Sequence, residues 1–364
     1  MTILRLIAAL AAGVLACTSC GGGGTSSDAR DPGQAGPEVR EQAAEPDVRE
    51  QAGEPDEGSS VVPTPEGLAA AVDRERLAAD LDFLAKPRAP GSAHWQAVQD
   101  RCAEVFAGLG FEVERQEFQG GVNVIGVRAG ASLPSERLVV SAHYDHIAGC
   151  DGADDNASGV AGVFEAARVL SAARFERTLV VACWDQEEIG LQGSRAYANR
   201  AAQNGEAIQA AYVFEMIGYA SSAPNSQQLP PGLDVIFKTQ ADQLKANDLR
   251  GDFVAVIADE NALEAALPLE AHALAIGLPN IRLELKQNQL HSPVFGTLQR
   301  SDHAAFWWAG FPAMMITDTS EYRNRNYHCA EGPDGLDRLD LEYATQVVRA
   351  TVYAVATRLG VAPL

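Results

Sequence analysis

Apolar and polar positions follow one another along this chain in two rhythms, and the changes between them mark out its elements. Residues 65–84 carry Leu68, Val72, Leu77, Leu81 and Leu84 at helical spacing, and 93–109 keep that rhythm until Gly110 supplies a C-cap. The period drops to two over 111–118 and 122–127. Residues 137–142 are then a nearly continuous apolar run, as in a strand covered on both faces. The spacing goes on to predict a helix over 158–172, a strand over 178–184, a helix over 194–203, strands over 210–214 and 313–317, and a closing amphipathic helix over 341–359. Residues 220–288 show neither rhythm plainly. Strands that alternate with helices predict an α/β fold: a three-layer α/β/α sandwich around a central, largely parallel mixed sheet. In such sheets ligands sit beyond the carboxyl ends of the strands.

The first 62 residues follow a different logic. Residues 1–17 begin with Arg5 among apolar residues and continue as an apolar run over 6–16, too short to span a bilayer, which predicts an export signal. Val14-Leu-Ala-Cys17 resembles the bacterial lipobox, in which the cysteine becomes the lipidated N-terminus; secretion by a peptidase that ignores Cys17 is the alternative. Residues 18–62 are Gly, Ser, Asp, Glu and Pro with almost no large apolar residue, so burial cannot offset their ordering entropy. Within them 38–47 recurs almost unchanged as 47–56, a Pro-interrupted period too short for a solenoid. The expectation is a disordered acidic tether, then one domain over 63–364. An exported protein is expected, reaching a membrane only through the lipid on Cys17.

Composition narrows the partners. Hydrophobic residues make up 46% of the chain, enough for a large core. The net charge of −21, with Lys and Arg dispersed among acids, excludes nucleic acid as a partner. Six cysteines in an exported chain permit disulfides without requiring them.

The candidate chemistry falls at the predicted strand ends. Ser141-Ala-His-Tyr-Asp-His146 follows the strand over 137–142, Gly152-Ala-Asp-Asp-Asn-Ala-Ser-Gly159 the loop after it, and Asp185-Gln-Glu-Glu-Ile-Gly190 the strand over 178–184. Asp145, two residues after His143, stands where it can fix the imidazole's tautomer. Adjacent Glu187 and Glu188 point different ways from a strand end, so one can bind metal while the other stays free as a base. There is no His-Glu-x-x-His and no Gly-x-Ser-x-Gly.

These elements, with Glu215-Met216 and Tyr327-His328, stand in the order found in the dizinc aminopeptidases of the bacterial leucyl aminopeptidase type, which the chain resembles from about residue 62 to its end. That family is related to the glutamate carboxypeptidases and glutaminyl cyclases. The resemblance implies a metallo-exopeptidase acting on peptides with two Zn2+ per chain. It implies one zinc on His143, Asp155 and Glu215, and the other on the shared Asp155, Glu188 and His328. Glu187 would be the general base, Tyr327 a donor to the oxyanion, and Asp145 the support of His143. Asp302 would lie behind the ligands or simply support the fold, and Asp154 is the alternative to Asp155 as the bridge. Glu215 departs from the Asp of the best-known members. Since Cys150 lies between two ligand-bearing elements and Cys329 follows His328, loops that meet at the metals would bring the two cysteines within disulfide reach. Three rival functions remain at this stage: a one-zinc cyclase, a carboxypeptidase using Arg323 and Arg325, and a noncatalytic binding module.

Overall fold

The computed structural model describes residues 63–362; the expected export signal, Cys17 and the tether lie outside them. Thr64 accepts the amide of Gly67 and opens helix α1 (Pro65–Ala70), and the Asp73 carboxylate accepts the amides of Glu75 and Arg76 and opens α2 (Arg74–Leu84). The helical stretch expected over 65–84 is therefore two helices, because a side chain that caps free N–H groups begins a new helix. After α3 (Ala93–Gly108) come β1 (Glu112–Phe118), β2 (Gly121–Arg128) and β3 (Leu133–His143). Then follow α4 (Gly159–Ser171), β4 (Arg177–Trp184), α5 (Gln192–Gln203) and β5 (Ala207–Glu215).

Residues 220–288 conceal α6 (Leu233–Ile236), α7 (Lys238–Ala246), β6 (Val254–Asp259), α8 (Leu263–Ala275) and β7 (Asn280–Leu285). The chain closes with α9 (His303–Trp308), β8 (Ala313–Thr317) and α10 (Leu341–Leu359).

The strands form one sheet in the order β1-β2-β4-β3-β5-β8-β6-β7. Its centre, β4-β3-β5-β8, is parallel throughout, while β2 joins β4 and β6 joins β8 in antiparallel fashion. The period of two sorts each strand: Val140, Val181, Tyr212 and Ile316 face the layer of α2, α3, α4, α8 and α10, whereas Val139, Val180, Ala211 and Met315 face that of α5 and α9. This is the three-layer α/β/α arrangement with a mixed sheet.

One topological detail places the site. The chain leaves β3 by α4 on one face to reach β4, then returns by α5 on the other face to add β5 on the opposite side of β3. The crevice left by that reversal lies beyond the end of β3, where an open α/β sheet binds ligands.

Candidate metal centre

His143 is the last residue of β3 and is buried. Its Nδ1 lies 3.2 Å from the Asp145 carbonyl oxygen and 3.6 Å from the Asp145 carboxylate, which leaves Nε2 to face the crevice. The Asp145 carboxylate in turn accepts the amide of Glu187 at 3.0 Å and that of Glu188 at 3.4 Å. It therefore ties the end of β4 to the end of β3, besides standing behind His143.

Asp155 lies in a wide turn, Ala153–Ser158, with non-helical backbone at Asp155 and Asn156, so the helix expected from 158 begins at Gly159. Its Oδ1 is 3.3 Å from His143 Nε2, and its Oδ2 is 3.2 Å from His328 Nε2. Asp154 points elsewhere, accepting from the Gly218 amide and the Asn324 side chain. Asp334 accepts the amides of both Asp154 and Asp155 at 3.1 Å, and burial pushes its carboxyl up to about 7.

Glu215 ends β5, 3.4 Å from His143 Nε2, and its Oε2 accepts a hydrogen bond from Ser301 at 2.6 Å. Glu188 Oε2 is 2.9 Å from His328 Nε2. His328 and Cys329 both have left-handed backbone, with φ of 54° and 56°. Cys329 is joined to Cys150 by a disulfide, with Cα atoms 5.8 Å apart. Gln186 and Met216, beside Glu187 and Glu215, have φ of 57° and 52°, so strained residues flank most of the cluster.

The ring of Tyr327 stacks on that of His328, with centroids 3.8 Å apart, and its oxygen accepts from Arg300 at 3.1 Å. Asp302 is buried at the start of α9; burial pushes its carboxyl up to about 7 against the pull of His143.

The electrostatics ask for cations. Burial alone would lower His143, but Glu215 and Glu187 outweigh it and hold the imidazole well above its usual range. His328 is likewise lowered by burial and raised more strongly by Asp155 and Glu188, ending at about 10. Glu187 is held well above the usual carboxylate range by burial, with Glu215, Asp302 and Glu188 adding repulsion and His143 opposing.

Two N,O donor sets share Asp155 here. Ligands about 2.0–2.1 Å from a tetrahedral ion stand about 3.3 Å apart. His143, Asp155 and Glu215 have edges of 3.3 and 3.4 Å, and His328, Asp155 and Glu188 have edges of 3.2 and 2.9 Å. His328 Nε2 is buried and makes no hydrogen bond to the carboxylates it approaches, as expected of ligands aimed at a common ion. The residues fit such a group.

Residues 123–257 match the model of peptidase family M28. The uncharacterized protein YfbL of Escherichia coli K12 is 31% identical over 265 residues, covering 68% of this chain and 76% of that protein. The chain belongs to peptidase family M28. This M28 member is thus a hydrolase. It is also 34% identical over 82 residues to aminopeptidase YwaD of Bacillus subtilis, a match covering 22% of this chain and 18% of YwaD. Its fold is that of BSAP, a zinc aminopeptidase from Bacillus subtilis, at a TM-score of 0.59 and 14% identity, covering 79% of this chain and 95% of that one.

Two residues of the M28 site carry no expectation from sequence. His146 is fully buried, with Nδ1 2.7 Å from Glu188 Oε1. It ends the His143 motif, and that position was its only signal. Arg88, also fully buried, donates to the backbone carbonyls of Tyr144, Asp151, Gly152 and Asp155 at 2.6–2.9 Å, gathering the ligand-bearing loop around one guanidinium. A lone arginine between Pro87 and Pro90 gives no warning of that.

Beside the M28 cluster a cavity opens, enclosing about 860 Å³ of empty space with its mouth included. Glu187, Glu215 and Asp155 stand on its lining, and its walls are apolar, among them Leu233, Phe253, Ile257, Leu283 and Met315. Arg323 is absent from that lining. It is buried and spends its donors on Gln227, Tyr219 and Phe253, while Arg325 pairs with Glu331. Arg300 does reach the lining, paired with Glu321.

Proposed function

We propose that this protein is a zinc aminopeptidase that uses two metal ions to remove N-terminal residues from peptides. The observation that carries the reading is the pair of donor sets sharing Asp155, with His143 and Glu215 on one side and Glu188 on the other, where both His146 and His328 approach it, and with Glu187 next to them at an apolar cavity; among the described residues the Glu187 carboxylate makes no hydrogen bond. His143, Asp155 and Glu215 would hold one zinc, and Asp155, Glu188 and His328 the other. Zinc held there supplies Lewis acidity towards the scissile carbonyl and makes an attacking water more acidic.

The chain's own groups do the rest. Glu187, half-buried on the cavity lining with its carboxylate unpaired, takes the proton from the attacking water and passes it to the leaving amine. Tyr327, its oxygen accepting from Arg300, keeps its own O–H free to donate to the oxyanion that forms at the carbonyl. Glu215 and Glu187 give the substrate's ammonium an acidic neighbourhood, and the apolar walls take the side chain of the N-terminal residue. A carboxypeptidase would need a free cation facing the substrate's carboxylate. Arg323, behind the lining, is spent on Gln227 and the Phe253 carbonyl, Arg325 pairs with Glu331, and Arg300 is neutralised by Glu321.

The test is hydrolysis of aminoacyl anilides and of N-blocked peptides, with and without chelator, by the wild type and Glu187→Gln. The wild type should cleave only free N-termini and stop when chelated, and the variant should lose about 10²–10⁴-fold in kcat with its zinc content unchanged. Full activity in Glu187→Gln refutes the base, and equal cleavage of blocked peptides refutes the aminopeptidase assignment.

A further inference from the structure

His146 stands among the donors, and its geometry differs from theirs. Each oxygen of Glu188 meets one imidazole: Oε2 lies 2.9 Å from His328 Nε2, and Oε1 lies 2.7 Å from His146 Nδ1. The first contact has no hydrogen-bond geometry and the second does. His146 Nδ1 is also 3.9 Å from Asp155 Oδ2, against 3.2 Å for His328. Edges of 2.7 and 3.9 Å straddle the roughly 3.3 Å separation of tetrahedral ligands, whereas those of His328 lie close to it. The short edge is instead an ordinary charge-assisted hydrogen bond.

The ring has little freedom to do anything else. It is fully buried, and it meets the His328 ring in a T-shaped arrangement with centroids 5.7 Å apart. Gly152 presses on it so closely that a Cβ there would lie 2.5 Å from the imidazole and 2.3 Å from the Asp155 carbonyl oxygen. Gly152 itself has a φ of 58°, so a side chain would be excluded on two counts.

We propose that His146 is a positioning residue: its Nδ1–H holds Oε1 of Glu188, which presents Oε2 to the ion shared with Asp155 and His328. This inference rests on the two-ion reading above. It reverses the usual arrangement in which a carboxylate orients a metal-binding histidine. Here the imidazole orients the carboxylate. The consequence is that His146 sets the affinity of one of the two ions and leaves the other nearly untouched, because the His143, Asp155 and Glu215 set meets the His146–Glu188 pair only through the shared Asp155 and, at the backbone amide of Glu188, through Asp145.

The experiment uses the full chain, stripped and reloaded with zinc, as wild type, His146→Phe and His146→Asn. Phenylalanine keeps the ring and removes the donor, while asparagine places an amide N–H where Nδ1 stood. Competition with a chromophoric chelator should show two zinc ions in the wild type. In His146→Phe one of them should be weakened about 10–100-fold, the range found for lost outer partners of metal ligands, with the other within about twofold. His146→Asn should recover most of the loss, and it decides the matter if the phenylalanine variant fails to fold. X-ray absorption should count one imidazole per zinc in wild type and variants alike. If the wild type binds two ions and both variants hold both as tightly, the positioning role is wrong and the two-ion reading stands. An imidazole count that drops in His146→Phe makes His146 a ligand and overturns the inference. A wild type that takes up a single zinc overturns the two-ion reading and this inference with it.

Discussion

On the two-ion reading proposed above, replacing Cys150 and Cys329 together by serine tests what holds the proposed ligand His328 in an unfavourable backbone. His328 and Cys329 are both left-handed, at about 1–2 kcal/mol each relative to right-handed backbone, so the segment resists the conformation that faces His328 towards Asp155 and Glu188 by about 2–4 kcal/mol. The disulfide opposes that tendency by tying the segment to a residue 179 positions earlier. Chain-entropy reasoning puts its effect on the unfolded state at about 5 kcal/mol, an upper bound. Other restraints survive its loss: the Cys329 amide still donates to the Asn326 carbonyl, and the Asn326 side chain to the Pro333 carbonyl, both at 2.7 Å. A full 4 kcal/mol would lower the population of the metal-facing state about 1,000-fold, and with those restraints in place we expect about 10–100-fold. Zinc competition on the double serine variant should therefore show one ion weakened by that factor and the other within about threefold. Unfolding of the metal-free protein, followed by circular dichroism, should come earlier by up to about 8 °C. If both ions bind as in the wild type, the disulfide is a general staple and the argument from the left-handed pair fails.

Two further outcomes follow from the packing. Arg88→Met removes a donor from four carbonyls; those of Tyr144 and Asp155 are left buried and unpaired, Gly152 keeps only the Ala157 amide and Asp151 is partly exposed, so at about 1–2 kcal/mol for each of the first two, thermal unfolding should fall by about 5 °C; a fall under about 2 °C would show that the guanidinium is dispensable. Leu283→Trp fills the cavity from β7, and kcat/KM for leucyl or phenylalanyl anilide should drop at least tenfold more than for alanyl anilide. Equal losses on all three substrates would mean that the cavity does not receive the N-terminal side chain.

The sequence was most legible where burial is most complete. The apolar runs over 137–142, 178–184, 210–214 and 313–317 became β3, β4, β5 and β8, the parallel centre of the sheet, because a strand covered on both faces has no polar face to blur it. β6 is as apolar, but its neighbours disguised it: α6 is only four residues long, α8 contains Pro268, and β7 at the sheet edge mixes Arg282 and Glu284 with leucines. The site was legible as a set of residue types in order, which cannot convey how backbone groups are used. Asp145 acts on the amides of Glu187 and Glu188, Asp334 on those of Asp154 and Asp155, and Arg88 on four carbonyls. None of these contacts leaves a periodic trace. His146 was hidden for another reason: it lies beside His143 in a motif whose first histidine already explained the spacing.

The cavity has a genealogy of its own. Fourteen of its lining residues lie between Gln227 and Leu298, in the stretch that links β5 to β8, whereas the donors come from the ends of β3, β4 and β5, from the turn at Asp155 and from residue 328. On the proposed reading, reactivity and choice of substrate are written in different paragraphs of the same gene. A library confined to residues 227–298 could retune what the protein cuts without touching a single side chain of the metal cluster. Descendants of one catalytic core could diverge in diet while keeping their chemistry intact.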